Sequence, residues 1–323
     1  MQQPRISCLL PVYNGEEFLE EAIGSILSQT FRDFELVVVD DGSRDSTPDI
    51  LARLAAEDPR LRVIRQENGG IVAALNAGLK ACRGEYVARM DADDVALPHR
   101  FQFQLDYLDA HPDCVLVGGV ARSVSPDGKD VSRTTGGRHK RTDLTCFPPK
   151  IAVSMHPLIT VRRDALVAVG GYRSDFPHAE DYDLFIRLSK LGGIDNPDED
   201  VLIYRRHEGA ISLKHLETQE RSAAMAEISA MDPGAEGFPN WLVEPYIRLR
   251  IWRRYLSADR AKADRLLPGL VGDALTLKPE TLLSPRYFGL RVRIGGAIAS
   301  AAIRQARRAR GPASAPAAQT AAG

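Results

Sequence analysis

The chain has 323 residues, 44% of them hydrophobic and 26% charged, and its formal net charge is −1. This length favours one main domain with an appended one, and the near-neutral charge gives no argument for a nucleic-acid partner. No apolar run is long enough to span a bilayer as a helix, so we expect a cytoplasmic globular protein.

The cysteines are scattered along the chain at positions 8, 82, 114 and 146, without a Cys-x-x-Cys pair or a histidine at metal-ligand spacing. Cys8 lies within an apolar run typical of a strand. Four cysteines could form two disulfides, but buried free thiols in a reducing cytosol are favoured. No secretory signal is visible, because the apolar run before Pro11 is short.

The first 120 residues alternate between strand-like and helix-like segments. Short apolar runs predict strands over residues 6–12, 34–39, 61–65, 85–90 and 114–117. Apolar stripes of helical period predict helices over residues 16–29, 46–57, 71–81 and 98–110. This alternation favours a mostly parallel sheet with helices on both faces.

Beyond residue 120 the pattern is weaker. Residues 121–150 are polar and Gly-rich, so we expect short hairpins or a mobile loop over residues 125–141. Later segments predict strands over residues 159–161 and 201–205, and helices over residues 163–169 and 181–191. The chain beyond His215 is helical in pattern, most clearly over residues 241–256, and its Ala/Pro-rich end is typical of disorder.

Two acidic clusters come directly after apolar runs. Asp40-Asp41-Gly42-Ser43 follows one predicted strand, and Asp91-Ala92-Asp93-Asp94 follows another. Because ligands of open α/β sheets bind at the carboxyl ends of the strands, these carboxylates would share one rim and repel one another. A divalent cation such as Mg²⁺ or Mn²⁺, carrying a phosphate-bearing substrate, would relieve that repulsion.

Each cluster also has a purely structural interpretation. The acids near Asp91 could cap the helix that begins near Pro98, and Asp40 could form a turn instead of accepting hydrogen bonds from a nucleobase or ribose. Glu67-Asn68-Gly69-Gly70 could be a plain turn, or its glycines could let the backbone approach a bulky ligand.

Two further sites are ambiguous from local sequence. Glu180-Asp181 opens a helix, where acids suit the helix dipole, although a sugar transferase needs a carboxylate to take the proton of a hydroxyl. His207 follows two arginines and could be a surface residue or a ligand of Mn²⁺.

Taken in order, these segments resemble glycosyltransferase family 2 over residues 5–210. The matching pieces are Pro11-Val12-Tyr13-Asn14, Asp40-Asp41-Gly42-Ser43, Asn68-Gly69-Gly70, Asp91-Ala92-Asp93-Asp94 with Pro98 and Arg100, Gly170-Gly171-Tyr172, and Glu180-Asp181-Tyr182-Asp183. The ordered set is more specific than any single motif.

The resemblance implies an α/β GT-A fold, Rossmann-like, with a C-terminal helical extension. The domains would be a catalytic domain over residues 1–212, divided near residue 120 into nucleotide-sugar and acceptor halves, a helical region over residues 213–310, and a tail over residues 311–323.

The resemblance also implies a metal-dependent, inverting glycosyltransferase that moves a sugar from a nucleoside diphosphate, by default UDP, to a hydroxyl acceptor. Cell-surface polysaccharide or glycoconjugate assembly is the implied setting. The implied nucleotide contacts are Pro11, Tyr13, Asp40, Asp41, Asn68, Gly69, Gly70 and Asp91. The implied metal ligands are Asp91, Asp93 and His207, and the implied catalytic acids are Asp181, as base, and Glu180.

Two alternatives to this function stay open. The first is a catalytically inactive nucleotide-sugar sensor or scaffold, against which the intact acidic set argues. The second is a sugar-phosphate nucleotidyltransferase, which would need a Gly-rich basic loop that residues 11–15 do not provide. The Gln-x-x-Arg-Trp signature of processive synthases is absent, which favours the addition of one or a few sugars.

The chain also carries a basic segment near its end. Residues Arg286–Arg310 contain arginines interleaved with apolar residues and no acid. This pattern is typical of a helix on an anionic membrane surface, which would suit a lipid-linked acceptor and a peripheral position on the inner face of the membrane. A solvated terminal helix packed on the enzyme is an equally valid interpretation.

Overall fold

The protein forms two compact units in its computed structural model. The first comprises Met1–Leu144 and Pro149–Pro233, and the second comprises Thr145–Pro148 and Gly234–Gly323. The structure describes residues 3–125, 129–134, 141–145, 148–206, 215–231 and 240–276. His207, Cys146, the Arg286–Arg310 segment and the Ala/Pro-rich tail lie outside these ranges.

The first unit is built on a 7-stranded sheet with the order β10-β6-β9-β4-β1-β2-β3. Its strands are β1 (Ile6–Val12), β2 (Phe34–Asp40), β3 (Leu61–Arg65), β4 (Tyr86–Arg89), β6 (Cys114–Val117), β9 (Thr160–Arg162) and β10 (Gly193–Asp195). All neighbouring strands pair in parallel except β9, which runs antiparallel to β4 and to β6. The mostly parallel sheet that the sequence predicts is confirmed.

A second sheet of four strands has the order β5-β11-β7-β8. Its strands are β5 (Val95–Ala96), β7 (Val120–Val124), β8 (Asp130–Arg133) and β11 (Asp200–Arg205). β7 and β8 pair antiparallel, so one strand of this pair, β8, falls within residues 125–141, where short hairpins or a mobile loop were expected, and the other begins earlier, at Val120. Residues 126–128 and 135–140 of that range lie outside the described residues. Neither β5 nor, in the large sheet, β10 was predicted, because segments of two or three residues show no periodicity.

Helices cover both faces of the large sheet. They are α1 (Leu19–Leu27), α2 (Thr47–Glu57), α3 (Ile71–Ala81), α4 (Arg100–Ala110), α5 (Arg163–Ala168), α6 (Glu180–Leu188) and α7 (Leu216–Met231). Side chains of α1, α2 and α4 pack into one hydrophobic cluster, and those of α3, α5 and α6 pack into another.

The strand residues divide between these clusters by alternation. Leu36 and Val38 of β2 belong to the first cluster, whereas Val37 and Val39 belong to the second. Both faces of β2 are therefore buried, which is why its sequence is a continuous apolar run. On the second face Gly78 lets α3 approach closely, since a Cβ atom there would lie 2.1 Å from Cδ1 of Leu9.

Helix α7 belongs to the first unit although it lies beyond the boundary at residue 212 that the resemblance implied. Its Ala223 and Ala226 join Ile186 of α6 in a small hydrophobic cluster of their own. Cys8, Cys82 and Cys114 are buried free thiols, as the sequence predicted.

The described part of the second unit consists of two helices, α8 (Asn240–Ala258) and α9 (Arg260–Thr276), which contact each other. Their buried side chains include Tyr246, Trp252, Ala263 and Leu270. Within the described residues, neither these nor the other helices combine the length and apolar character that crossing a membrane requires.

A buried acid fixes the amino-terminal end of the large sheet. Glu35 of β2 is 3% exposed, and its carboxylate accepts hydrogen bonds from Ser7 Oγ at 2.7 Å, from Arg62 Nη1 at 2.7 Å and from the backbone and guanidinium of Arg83. Burial alone would raise the pKa of Glu35, but the donors of Arg83, Ser7 and Arg62 prevail and lower it to about 2.

Replacing Glu35 should make stability less sensitive to acid. The folded-state pKa lies below the unfolded one, so the ionised carboxylate stabilises the fold fully above about pH 4.5 and loses that effect as the pH falls toward 2. We expect Glu35→Gln to lower the free energy of unfolding by roughly 2 kcal/mol at pH 7 and by clearly less at pH 3. Urea titrations at both pH values measure the difference.

Glu57→Gln is the control, since that side chain is 60% exposed and its loss should change the free energy of unfolding by less than about 0.5 kcal/mol. An equal deficit of Glu35→Gln at pH 7 and at pH 3 would contradict the ionic role.

Candidate active site

A cavity of about 660 Å³ opens at the carboxyl ends of the central strands. It is lined by Pro11, Val12, Tyr13, Asn14, Gly15, Glu17, Phe18, Asp41, Asn68, Gly70, Ile71, Ala74, Asp91, Ala92 and Asp93. These residues follow β1, β2, β3 and β4, which are neighbours in the sheet, so the topology itself brings the distant motifs together. Most of the predicted nucleotide contacts are among them.

Asp41 organises one wall of this cavity. Its carboxylate accepts hydrogen bonds from Gln66 Nε2 at 2.7 Å and from the backbone amides of Gly69 and Gly70 at 2.9 and 2.8 Å. Asn68 donates from Nδ2 to the Asp41 carbonyl at 2.9 Å. Asp41, the residue after β2, thus fixes the loop that leads into α3, and Asn68 and Gly70 of this loop line the cavity.

Asp40 and Gly69 do not line the cavity. Asp40 is 1% exposed, and its Oδ1 accepts a hydrogen bond from the Ser43 amide at 2.8 Å while Oδ2 lies 3.4 Å from Arg65 Nε. Gly42 is required here because its φ is +79° and a Cβ atom would lie 2.8 Å from the Asn68 nitrogen. In this structure Asp40 stabilises the turn through its hydrogen bond with the Ser43 amide.

Three carboxylates cluster after β4. Ligand oxygens of Asp91, Asp93 and Asp94 all lie within 4.8 Å of one another. Asp94 is 1% exposed, and its Oδ1 accepts a hydrogen bond from the Arg205 amide at 3.0 Å, whereas its buried Oδ2 has no hydrogen-bond donor. Burial and then the charges of Asp91 and Asp93 raise the pKa of Asp94 to about 8.

These oxygens fit a divalent cation. They are hard donors from residues of one short loop, and one of them is buried without a partner, which a cation would provide. The predicted pair Asp91 and Asp93 is brought together, and Asp94 joins it. The third predicted ligand, His207, lies outside the described residues.

Arg89 is a buried cation beside this cluster. It is 5% exposed and forms an ion pair with Asp91 through Nη2, while its Nε and Nη1 have no hydrogen-bond acceptor. Burial opposes the charged form, but the carboxylate of Asp91 prevails and raises the pKa of Arg89. No role was predicted for Arg89, because in the sequence it is one residue of a largely apolar strand.

The predicted catalytic acids lie at the first turn of α6, outside the cavity lining. Burial, and next the charge of Glu180, raise the pKa of Asp181 to about 6. Burial also raises the pKa of Glu180, whose Oε2 is buried without a donor. The positive charge of Arg89 acts on both acids and on Asp91, so the two acidic motifs lie within electrostatic range of one guanidinium.

The start of α6 is held by interactions that the sequence did not reveal. Asp183 is 2% exposed and binds the guanidinium groups of Arg173 and Arg187, the latter through Nε at 2.9 Å and Nη2 at 2.6 Å. An acid in the first turn of a helix suggests only a dipole effect, so no local signal distinguished Asp183 from its neighbours.

The turn before α6 is hydrogen-bonded to α3, the helix that borders the cavity. Asn76 of α3 binds the backbone of Tyr172 twice, at 3.0 Å to its amide and at 2.9 Å to its carbonyl. The Tyr172 hydroxyl lies 2.9 Å from Nε2 of His156, a buried histidine whose pKa is held well below its usual value by burial and by Arg89. His156 is therefore neutral near pH 7.

Comparisons with known proteins agree with this arrangement. The profile described as glycosyl transferase family 2 matches residues 7–170. The amylovoran biosynthesis glycosyltransferase AmsE of Erwinia amylovora is 34% identical over 189 residues, which cover 58% of this chain and 70% of AmsE. Some of the other relatives are much longer, and the chain spans only 22% of the chondroitin synthase of Pasteurella multocida.

Two solved structures share the fold at lower identity. The mannosyltransferase PcManGT of Pyrobaculum calidifontis, in complex with GDP-Man and Mn²⁺, superposes with a TM-score of 0.57 and 21% identity over 94% of this chain and 88% of its own. S. aureus TarS, in complex with UDP-GlcNAc, gives a TM-score of 0.54 and 22% identity over 91% of this chain and 81% of its own.

The fold is therefore that of GT-A glycosyltransferases, as the resemblance implied. The family match covers the strands and loops that build the cavity, from β1 through the acidic cluster and on to the turn before Tyr172. The chain belongs to glycosyltransferase family 2 and is a glycosyltransferase.

Proposed function

We propose that the protein is a metal-dependent, inverting glycosyltransferase that moves a sugar from a UDP-linked donor to a hydroxyl acceptor in the assembly of a cell-surface polysaccharide or glycoconjugate. The observation that carries this proposal is the cluster of Asp91, Asp93 and Asp94, of which Asp91 and Asp93 line a cavity of nucleotide-sugar size. AmsE, named for the biosynthesis of a polysaccharide, supports the setting.

In this proposal the nucleotide occupies the cavity between β1 and α3. Tyr13, half exposed at the cavity, offers an aromatic face to the base, and Asn68 and Gly70 offer polar groups held in place by Asp41. The amino-terminal end of α3 adds the partial positive charge of its free amides near the diphosphate.

Asp91, Asp93 and Asp94 would hold the divalent cation, for which their clustered oxygens are suited. The chemistry that such a cation supplies when bound is Lewis-acid stabilisation of charge on the departing nucleoside diphosphate. The Mn²⁺ in the complex of PcManGT supports a divalent metal, and Mn²⁺ and Mg²⁺ are the two candidates for this chain.

Asp181 is proposed as the general base. It would take the proton of the acceptor hydroxyl as that oxygen forms its bond to the anomeric carbon of the donor sugar, while the bond from that carbon to the phosphate oxygen breaks on the opposite side. A pKa of about 6 suits this role, because the carboxylate is ionised at pH 7 and still basic enough to accept a proton.

Replacement of the base should abolish transfer without loss of donor binding. We expect Asp181→Asn to lower kcat on the order of 10²–10⁴-fold, because a neutral amide cannot take the hydroxyl proton. Release of UDP from UDP-sugars, with polysaccharides and lipid-linked glycans as acceptors, measures the loss. The thermal shift produced by UDP with Mn²⁺ should stay within the error of the wild-type value, and its disappearance would contradict the assignment.

Glu180→Gln is the matched comparison, since it removes the neighbouring carboxylate and leaves the base. The activity of the wild type should fall as the pH drops through about 6, where Asp181 takes up a proton. Without the charge of Glu180 this acid limb should move to lower pH. An unchanged limb in Glu180→Gln would show that Asp181 does not set it.

The metal assignment has its own test. We expect Asp93→Ala to lose both activity and its dependence on Mn²⁺, because the cluster is left with two of its three carboxylates. Activity with increasing Mn²⁺ or Mg²⁺, and after treatment with EDTA, measures the effect. Glu57→Ala is an exposed acidic control that should retain wild-type activity. Wild-type activity that survives EDTA would overturn the metal role.

The choice of nucleotide can be tested directly by ligand stabilisation. A ligand that binds only the folded state raises the melting temperature by mass action, so the donor nucleotide should give the largest shift among UDP, GDP and dTDP in the presence of Mn²⁺. We expect UDP to give the largest shift. A larger shift with GDP, the nucleotide of the donor bound to PcManGT, would overturn UDP and leave the transferase assignment intact.

A further inference from the structure

Arg205, the last residue of β11, contacts the acidic loop through both its backbone and its side chain. Its amide donates to Oδ1 of Asp94 at 3.0 Å, and its Nε donates to the backbone carbonyl of Asp93, also at 3.0 Å. That carbonyl belongs to the peptide that joins Asp93 to Asp94. One residue from a distant strand thus holds the link between two of the three clustered acids.

The pairing of β5 with β11 explains why these contacts form. β5 follows Asp94 directly and runs antiparallel to β11, in a register that would set Arg205 opposite Asp93 if it continued two positions beyond Val95. The chain of the acidic loop has left the strand by that point. Side-chain atoms therefore satisfy both groups, since a carboxylate accepts from the Arg205 amide and a guanidinium donates to the Asp93 carbonyl.

The far end of the Arg205 side chain is fixed as well. Its Nη2 pairs with Oε2 of Glu21 in α1 at 2.7 Å, and its Cζ lies 4.6 Å from the ring centroid of Phe18. The side chains of Arg205 and Glu21 are 23% and 61% exposed, and an ion pair so exposed adds little to stability. What these contacts do is confine the guanidinium between Phe18 and Asp93, which both line the cavity.

The orientation of the peptide between Asp93 and Asp94 bears directly on the proposed metal site. The two side chains leave the backbone on either side of this peptide, so its rotation would change the separation of their carboxylate oxygens. A small divalent cation demands ligand oxygens at defined positions. Hydrogen bonds that orient such ligands ordinarily change metal affinity 10–100-fold when they are removed.

We propose that Arg205 is a positioning residue for the metal: its Nε fixes the peptide between Asp93 and Asp94, so that their carboxylates keep the spacing that a divalent cation needs. This inference rests on the proposed metal site. The role belongs to the hydrogen bond and not to the charge, because a positive charge close to the site would by itself weaken the binding of a cation.

Glutamine and methionine at this position separate the hydrogen bond from the charge. Nε2 of glutamine is the same number of bonds from Cα as Nε of arginine, so Arg205→Gln can still donate to the Asp93 carbonyl. Arg205→Met is also neutral and of the same length, but it carries a methyl group at that position. Both variants retain the backbone amide that donates to Asp94.

The test titrates the full-length chain with Mn²⁺ and follows the electron paramagnetic resonance signal of the free ion. We expect Arg205→Met to bind Mn²⁺ about tenfold more weakly than the wild type, and Arg205→Gln to stay within about threefold of it. Loss of charge alone would make both variants bind more tightly. Binding by Arg205→Met as tight as that of the wild type, or binding by Arg205→Gln as weak as that of Arg205→Met, overturns the inference.

Glu21→Gln is the matched control, because it removes the ion pair at the far end of Arg205 and leaves Nε in place. It should bind Mn²⁺ within about threefold of the wild type. A loss as large as that expected for Arg205→Met would assign the effect to the ion pair and overturn the role of Nε.

Arg205→Lys covers the case in which Arg205→Met does not fold. It keeps the positive charge near Glu21 but has a carbon atom at the position of Nε, so it should bind Mn²⁺ at least about threefold more weakly than the wild type. Binding equal to that of the wild type then overturns the inference and leaves the metal site standing. A wild type that binds no Mn²⁺ would remove the proposed metal site, and the inference with it.

Discussion

Mutual repulsion of carboxylates is the constraint on which the rest of this structure depends. Carboxylate oxygens of Asp91, Asp93 and Asp94 lie within 4.8 Å of one another, and the Glu180–Asp181 pair adds two more acids within electrostatic range of the buried Arg89. Like charges at such distances in a partly desolvated site cost several kcal/mol unless cations offset them. The pKa values of Asp94 and Asp181 are raised, and some buried carboxylate oxygens have no hydrogen-bond donor. Both observations indicate that the protein's own cations and donors offset the repulsion only in part.

The sheet topology explains why acids ninety residues apart in sequence meet. β4 lies beside β1 at the centre of the sheet, and β9 runs antiparallel along the other side of β4. The chain after β9 then runs back through α5 to α6, toward the carboxyl ends of the parallel strands. The hydrogen bonds between Asn76 and Tyr172 then tie this returning segment to α3, which borders the cavity. The segment that leads to the acids of α6 is thereby fixed to the helix that borders the cavity.

Much of the large sheet could be predicted because central strands such as β1 and β2 are buried on both faces and are largely apolar in sequence. The second sheet was not predicted as a whole, since β5 has only two residues and its pairing is decided by the distant β11. In the large sheet, β10 was missed for the same reason, since it has three residues and pairs with the distant β6. In the site, Asp41, Asp91 and Asp93 were predicted from their place at strand ends. Arg89 and Asp183 were not, because their partners lie elsewhere in the chain and local sequence describes neither an ion pair nor its burial.

The first turn of α6 shows how one motif divides its acids between structure and chemistry. Glu180, Asp181 and Asp183 share the same helix end and the same favourable dipole, so their sequence context is nearly equal. Asp183 is neutralised by two arginines, which anchors the turn, whereas the burial of Glu180 and Asp181 is offset by backbone hydrogen bonds and by the more distant charge of Arg89. The anchored acid lets the two unpaired ones keep raised pKa values in fixed positions, and a carboxylate must combine these two properties to accept a proton from a weakly acidic hydroxyl.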